Sequence, residues 1–421
     1  MKSVKILLMI PKYHQMWWIQ QPPIGALYTA TILKNQGYYV EILDTRYKFK
    51  KVDILKYDVV FLLTSEYDLT QCYPWDLSEM KKQIKDINTH NVPIFAVGPH
   101  GCVLDKMTLS ELNVTGVLKG ENEIVIPDFL RSFSKYKGKK GFVFENSQKI
   151  DLSTLPIPDY NLIDLKSYHS YVVFNGKVVK KNTGLIFANR GCPFNCEYCY
   201  NEFFGKTVRY REVEMITKEI IKMKKADIDH FFFLDYTFTV NKKWTLKLLQ
   251  ALKNLNITWG CQTRIDCIDE ELLSKMSESG CKYIWYGIES PQIGKYVKNK
   301  NIDSESIDKI IALTNIYKIQ PMIFILVGFP NENIEEIYLW CKTHKCIFDH
   351  SIIFPRPGTE LFNKLVKNNA IQFYNWLDLE KRSSLLLYEN RDKVENKFKI
   401  LSTLDNYFEN TFNKGVKAIN E

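Results

Sequence analysis

Two stretches of this chain set short, β-rich apolar runs between helix-like segments, and that alternation restricts the fold more than any other property of its 421 residues. In the first stretch Val4 to Ile10 reads as a strand, Gly25 to Gly37 as a helix closed by a C-terminal glycine, and Tyr39 to Leu43 as the next strand. Val59 to Leu63, Pro93 to Val97 and Thr115 to Leu118 continue the series, with helical stretches between them. Crossovers of this length predict a parallel, doubly wound, Rossmann-like α/β sheet, whose ligands lie outside the carboxyl ends of the strands. The segments at those ends are Pro11 to Gly25, Asp44 to Arg46, Thr64 to Tyr67, Gly98 to Gly101 and Gly120 to Glu123. In the second stretch Thr183 to Asn189, His230 to Leu234, Thr258 to Thr263, Tyr283 to Gly287, Pro321 to Val327 and Ser351 to Phe354 read as six strands. Helical stretches at Val213 to Lys225, Lys242 to Leu255, Asp269 to Ser279 and Ser304 to Tyr317 separate them.

The expected domains are a doubly wound domain over 1–135, a linker over 136–180, a partial barrel over 181–365 and a short helical C-terminal cap over 366–421. The linker opens on Gly138-Lys-Lys-Gly141 and contains Leu155-Pro-Ile-Pro-Asp-Tyr160, whose prolines favour extended chain. The tail shows helix-like periodicity from Leu401 to Phe412, and no internal repeat is visible. With 45% hydrophobic and 14% aromatic residues, the chain can bury sizeable cores. Its net charge of +9 is spread over scattered lysines (Lys222, Lys224 and Lys225, or Lys295, Lys298 and Lys300). That reads as a solvated surface rather than the basic stripe of a nucleic-acid binder, and it leaves room for an acidic small-molecule or peptide partner as substrate. Ten cysteines in so long a chain are not a secreted disulfide framework, so reduced, cytoplasmic conditions are expected. The apolar run Ile6 to Ile10 is too short to span a membrane, and no signal peptide is recognisable.

Three of those cysteines concentrate the chemistry. Cys192, Cys196 and Cys199 lie in Ala188-Asn-Arg-Gly-Cys-Pro-Phe-Asn-Cys-Glu-Tyr-Cys-Tyr200, directly after the apolar run Gly184 to Ala188. Thiolates spaced in this way can reach three corners of one iron–sulfur cube and leave the fourth iron open to an external ligand. A zinc site would call for a fourth ligand or a second CxxC pair, and neither sits nearby. His169 is far upstream, and His230 lies in a strand-like segment. CxxxCxxC with an aromatic, Tyr198, before the last cysteine resembles the loop after the first barrel strand of radical S-adenosylmethionine (radical SAM) enzymes. The resemblance implies a [4Fe-4S] cluster on Cys192, Cys196 and Cys199 as the catalytic metal centre. It further implies SAM chelated to the open iron, an electron donor of flavodoxin or ferredoxin type, and cleavage of SAM to a 5′-deoxyadenosyl radical.

The same resemblance assigns later strand ends to the SAM pocket. Asp235 is similar to the family residue near the SAM ammonium, and Arg264 offers a planar cation to its carboxylate. Glu289 is similar to the carboxylate that holds the ribose hydroxyls. Asp266 and Ser290 read as helix caps, and Val327 to Pro330 and Pro355 to Thr359 as the adenine edge and substrate mouth. Cys261, Cys267 and Cys281 match no ligand spacing and read as core, as does Cys102. Trp17 and Trp18 are candidates either to wall a cofactor or to pack between domains.

The first stretch brings a second resemblance. Pro22-Pro-Ile-Gly25, Leu43-Asp44, Val97-Gly-Pro-His-Gly101 and Lys119-Gly-Glu-Asn-Glu123 are similar to the cobalamin-binding domain fused to many radical SAM enzymes. Residues implied at the cofactor are Pro23, Gly25, Asp44, Ser65, Gly98, Pro99, His100, Gly120 and Glu121. The Asp-x-His-x-x-Gly signature is missing, so His100 is expected to be a turn histidine rather than a cobalt ligand, and Ser65, Glu66 and Tyr67 are expected to cover cobalt's lower face. Together the two resemblances imply a cobalamin-dependent radical SAM methyltransferase. The alternatives are a non-methylating rearrangement or cyclisation and, further off, a non-catalytic corrin or metal regulator. A tRNA methylthiotransferase would carry three more cluster cysteines near its N-terminus, where this chain has only Cys72 and Cys102.

Overall fold

The computed structural model describes residues 4–12, 19–47, 53–67, 77–88, 91–174, 177–293, 300, 302–329, 331–353, 355–369, 371, 391–411 and 413–414. Trp17, Trp18, Cys72, Lys295, Lys298, Pro330, Phe354 and Phe412 lie outside the described residues. The chain divides into two compact units. One comprises Met1–Leu165, Cys199–Arg209 and Arg356–Ser384, the other Lys166–Tyr198, Tyr210–Pro355 and Leu385–Glu421.

The first unit is built on six parallel strands, β1 (Lys5–Ile10), β2 (Tyr39–Asp44), β3 (Val59–Leu63), β4 (Ile94–Val97), β5 (Gly116–Lys119) and β6 (Phe142–Glu145), in the order β2-β1-β3-β4-β5-β6. Every residue of β3 and β4 is buried, as a sheet covered on both faces requires. The crossovers are α1 (Ile24–Asn35), α2 (Ser78–Asn88), α3 (Pro99–Val103) with α4 (Asp105–Leu112), and α5 (Asn122–Arg131). Phe61, Phe95 and Phe129 centre a core with Ile6, Leu8 and Ala30, and the Phe95 and Phe129 rings lie 4.7 Å apart. The strand order reverses between β1 and β3, which opens a crevice at their carboxyl ends. The sixth strand falls in the stretch expected to be linker. It lies at the sheet edge and alternates half-buried and exposed residues, so it lacks the apolar run that marks its neighbours.

In the second unit an antiparallel hairpin of β7 (His169–Phe174) and β8 (Lys177–Lys181) precedes six parallel strands. These are β9 (Thr183–Ile186), β10 (His230–Phe233), β11 (Thr258–Thr263), β12 (Cys281–Glu289), β13 (Gln320–Val327) and β14 (Ile347–Ile352). They lie side by side in chain order, a partial (β/α)6 barrel. Helices α6 (Val213–Lys224), α7 (Lys242–Lys253), α8 (Glu270–Glu278), α9 (Ser304–Ile316) and α10 (Ile334–Thr343) return the chain. Four of the five open on a side chain that accepts an orphan backbone N–H: Asn241, Asp269, Asp303 and Asn333. A final helix, α11 (Arg391–Ser402), packs on β13 and β14, and the Phe398 carbonyl lies 2.9 Å from His350 Nε2.

Candidate active site

The cysteine loop leaves the end of β9 from a buried, charged root. Asp235, just past β10, accepts backbone N–H groups of Ala188 at 2.9 Å and Asn189 at 2.6 Å, both through Oδ1. Arg211 donates to the Phe187 carbonyl at 3.1 Å and pairs with Glu219 of α6 at 2.6 Å, both side chains being fully buried. Burial pushes the Asp235 carboxyl up to about 8, against backbone hydrogen bonds and nearby arginines that favour its charged form. Its Oδ2 is buried and has no hydrogen-bond partner among the described residues. One oxygen of the residue expected near the SAM ammonium thus holds the loop, and the other makes no hydrogen bond among the described residues.

Gly191, with φ of +97°, turns the chain into the cysteines. Cys192 is buried, with its Sγ 3.8 Å from Thr237 Oγ1, and Cys196 and Cys199 are half-buried. Arg264 directs Nη1 to Cys196 Sγ at 3.5 Å and lies 3.9 Å from the Phe194 ring centroid. Its other nitrogens grip Asp266 at 2.9 and 2.6 Å. Asp266 is therefore a partner of Arg264, while the cap of α8 is Asp269. Ser290 Oγ accepts the Gln292 N–H in a turn. Burial pushes the Cys196 thiol up, and the cations of Lys300 and Arg264 pull it back toward the thiolate that metal binding needs. Among the described residues no three His, Cys, Asp or Glu side chains converge on one ion-sized point. A cubane places its ligands on separate irons, so three thiols along one loop suit it better than a lone ion.

At the end of β12 the register shifts between Gly287 and Glu289, and Glu289 takes a left-handed φ of +59°. For a residue with a long side chain this costs about 1–3 kcal/mol, a strain that gathers at functional sites. The Glu289 carboxylate is paired with Lys300, which is 1% exposed and donates also to the Gly287 carbonyl at 2.5 Å. Lys300 was expected on the solvated surface. The pairing reverses that, and no periodicity could have signalled it because the partner lies eleven residues back.

In the first unit the residues expected at a corrin are mostly committed to one another. Glu66 accepts the N–H groups of Gly25 at 2.9 Å and Ala26 at 3.3 Å, capping α1 after Pro23. A Cβ on Gly25 would stand 2.9 Å from that carboxylate and 3.0 Å from Tyr67. The Tyr67 hydroxyl donates to Glu123 at 2.5 Å and accepts the Asn122 N–H at 2.9 Å. Ser65 Oγ accepts the His100 N–H at 3.0 Å, and its carbonyl lies where a Cβ on Gly98 would intrude. Pro99 opens α3. His100 is fully buried rather than on an open turn, and burial pushes its imidazole down to about 3, so it is neutral. Asp44 chelates Arg46 at 2.9 and 2.7 Å. Glu121 pairs with Arg209 at 2.6 and 3.2 Å and accepts the Ile150 N–H. Gly120 has φ of +138°, and a Cβ there would lie 2.2 Å from the Asn146 carbonyl. Asn122, which sequence reasoning passed over, has both side-chain polar atoms buried without a partner among the described residues.

Cys261 and Cys281 are buried on the neighbouring strands β11 and β12, Cys267 is half-buried, and the half-buried Cys102 donates to the Leu118 carbonyl at 3.7 Å.

Residues 186–342 match the family model of the radical SAM superfamily. An uncharacterized methyltransferase of Pyrococcus horikoshii is 27% identical over 89% of this chain and 86% of its own length. The anaerobic magnesium-protoporphyrin IX monomethyl ester cyclase of Rubrivivax gelatinosus is 22% identical over 97% of this chain and 78% of its own. Among solved structures, the radical SAM methyltransferase TsrM of Kitasatospora setae, with cobalamin and a [4Fe-4S] cluster bound, superposes with a TM-score of 0.66 at 16% identity. That match covers 87% of this chain and 78% of TsrM. No helix among the described residues is long and apolar enough to cross a membrane. The three cysteines of the loop after the first barrel strand lie inside the matched segment, so residues 186–342 form a radical SAM domain within an enzyme.

Proposed function

We propose that this chain is a cobalamin-dependent radical SAM methyltransferase acting on a small molecule or peptide in the cytoplasm, with electrons from a flavodoxin- or ferredoxin-type donor. The observation that carries the reading is the cysteine loop with its root clamped by Asp235 and Arg211 and its mouth faced by Arg264. Bound there, a [4Fe-4S] cluster with SAM supplies a 5′-deoxyadenosyl radical able to take hydrogen from an unactivated carbon, and methylcobalamin supplies the methyl group.

Cys192, Cys196 and Cys199 would hold the cluster, Asp235 Oδ2, losing its proton as the cation arrives, would accept from the SAM ammonium, and Arg264 would face its carboxylate while Asp266 holds the guanidinium in place. Tyr198 would pack beside Cys196, where its hydroxyl favours the ionised form of that thiol. Glu289 would accept from the ribose hydroxyls. For the corrin, the loops after β3, β4 and β5 offer Ser65, Gly98 to His100 and Gly120 to Asn122, and the unpartnered Asn122 amide suits a ligand rich in amide side chains. Pro23, Gly25, Asp44 and Glu121 would act by shaping that crevice, since their polar groups and close approaches are already used within the fold. The loop Ser65 to Tyr67 remains the candidate for cobalt's lower face.

A cyclising or rearranging enzyme is the second reading, supported by the cyclase of Rubrivivax gelatinosus. Protein reconstituted anaerobically with iron, sulfide and cobalamin, then reduced with methyl-deuterated SAM, separates the two. Deuterium in the product supports methylation, and an unlabelled rearranged product supports the rival. Absence of 5′-deoxyadenosine, or its persistence when all three cysteines are alanine, overturns both.

A further inference from the structure

Lys300 and Glu289 form a unit that the radical SAM reading does not by itself require. The Lys300 ammonium is buried and bonds two groups that flank the register shift in β12, the Gly287 carbonyl and the Glu289 carboxylate. Glu289 stands in a left-handed conformation, so its side chain leaves the strand in a direction the backbone would not choose unaided. Gly287 has no Cβ, and one placed there would come within 3.0 Å of Glu289 Oε1. Lys300 thus ties both arms of the bulge to one cation through Oε2 and leaves Oε1 beside the open face of a glycine. The pair shares its electrostatic surroundings with Cys196 and Arg264.

Resting on the reading of Glu289 as the carboxylate that meets the ribose, we infer that Lys300 is its positioning residue. Lys300 grips one carboxylate oxygen and the bulge carbonyl, so that the other oxygen is presented in a single orientation to the nucleoside hydroxyls. Lys300 acts through Glu289 and does not touch the nucleotide.

The test is equilibrium dialysis of anaerobically reconstituted protein against S-adenosylhomocysteine and its 2′-deoxyribose analogue, with no turnover needed. Wild type should prefer the ribose form by about tenfold, the value of one charge-assisted hydrogen bond. Lys300→Met should weaken binding of the ribose form by about tenfold or more and bring the preference close to unity, and Lys300→Arg should restore part of both. Glu289→Gln should bind weakly, and adding Lys300→Met to it should cost nothing further, because the two residues act as one unit. The double variant also buries no unpaired charge, so it stays folded if Lys300→Met alone does not. Wild-type preference retained in Lys300→Met, or a further loss in the double variant, overturns the assignment. Wild-type protein that carries a cluster yet binds no adenosyl ligand overturns the radical SAM reading and this inference with it.

Discussion

Asp235 is fully buried, with one oxygen holding two backbone amides and the other without a partner among the described residues. Its folded-state value, pushed up to about 8 by burial, lies above that of the unfolded chain. Between roughly pH 4 and 8 the folded protein therefore keeps a proton that the unfolded chain has released, and stability falls as pH rises through that window. Asp235→Asn keeps an acceptor for Ala188 and Asn189 and removes the titration. Thermal unfolding of the cluster-free protein should show the variant gaining on wild type as pH goes from 5 to 8. Melting curves that stay a constant distance apart across that range would contradict the linkage. Gly120 is constrained in a different way. Its φ of +138° and the Asn146 carbonyl 2.2 Å from where a Cβ would stand leave no relaxed conformation for alanine. Gly120→Ala should destabilise the chain by about 2 kcal/mol or more, read by urea denaturation without any cofactor present. An unchanged midpoint would show that the β5 turn can move, and that Gly120 is there for a ligand and not for the fold.

At the scale of elements, the root of the cysteine loop depends on α6 through a salt bridge closed to water. Removing one member of such a pair leaves the other charged and unsolvated, so Arg211→Met or Glu219→Gln should cost about 3–5 kcal/mol. Iron loss to a chelator should accelerate in either variant, because Arg211→Met removes the donor to the Phe187 carbonyl and Glu219→Gln removes the carboxylate that holds that donor in place; an unaltered rate would place the loop's rigidity elsewhere. The strands were legible where burial made them apolar. Val59 to Leu63 and Thr258 to Thr263 are read with the bounds they have. The last barrel strand is misplaced by about four residues, since Ile347–Ile352 contains Asp349 and His350, polar residues that break the apolar run although His350 is buried. The hairpin β7–β8 escaped for want of weight given to Asn175-Gly176, a two-residue turn signal between alternating runs. Within the site, the cysteines were visible because their ligand spacing is local. Lys300, Asn122 and the Arg209 partner of Glu121 were not, because each is defined by a contact or a missing contact that only the folded chain creates.

For the whole molecule, the division into two units bears on how the proposed cofactors would depend on one another. The sheet β2-β1-β3-β4-β5-β6 closes its own core, from Ile6 to Leu130 with Phe142, Phe144 and Leu162 packed against it, all from residues before 165. Past Cys199, the segment Cys199–Arg209 is tied to that unit by side-chain contacts of its own. Phe203 and Phe204 pack on Tyr67 at 5.5 and 5.2 Å, and Arg209 is bound to Glu121. These contacts are made by Phe203, Phe204 and Arg209, none of which is a thiol ligand. Stripping the cluster with a chelator under air should therefore leave the corrinoid affinity of the full chain within about twofold of the loaded protein, a change well below 1 kcal/mol. Arg209→Met should act in the opposite sense. It leaves the Glu121 carboxylate buried without its counterion at the end of β5, and should weaken corrinoid binding whether or not a cluster is present. Spectrophotometric titration with hydroxocobalamin on the four combinations of wild type and variant, loaded and stripped, reads both effects at once. If stripping alone abolished the corrinoid spectrum, the first unit would owe its binding competence to the cluster loop, and the self-sufficiency argued from its core would be wrong.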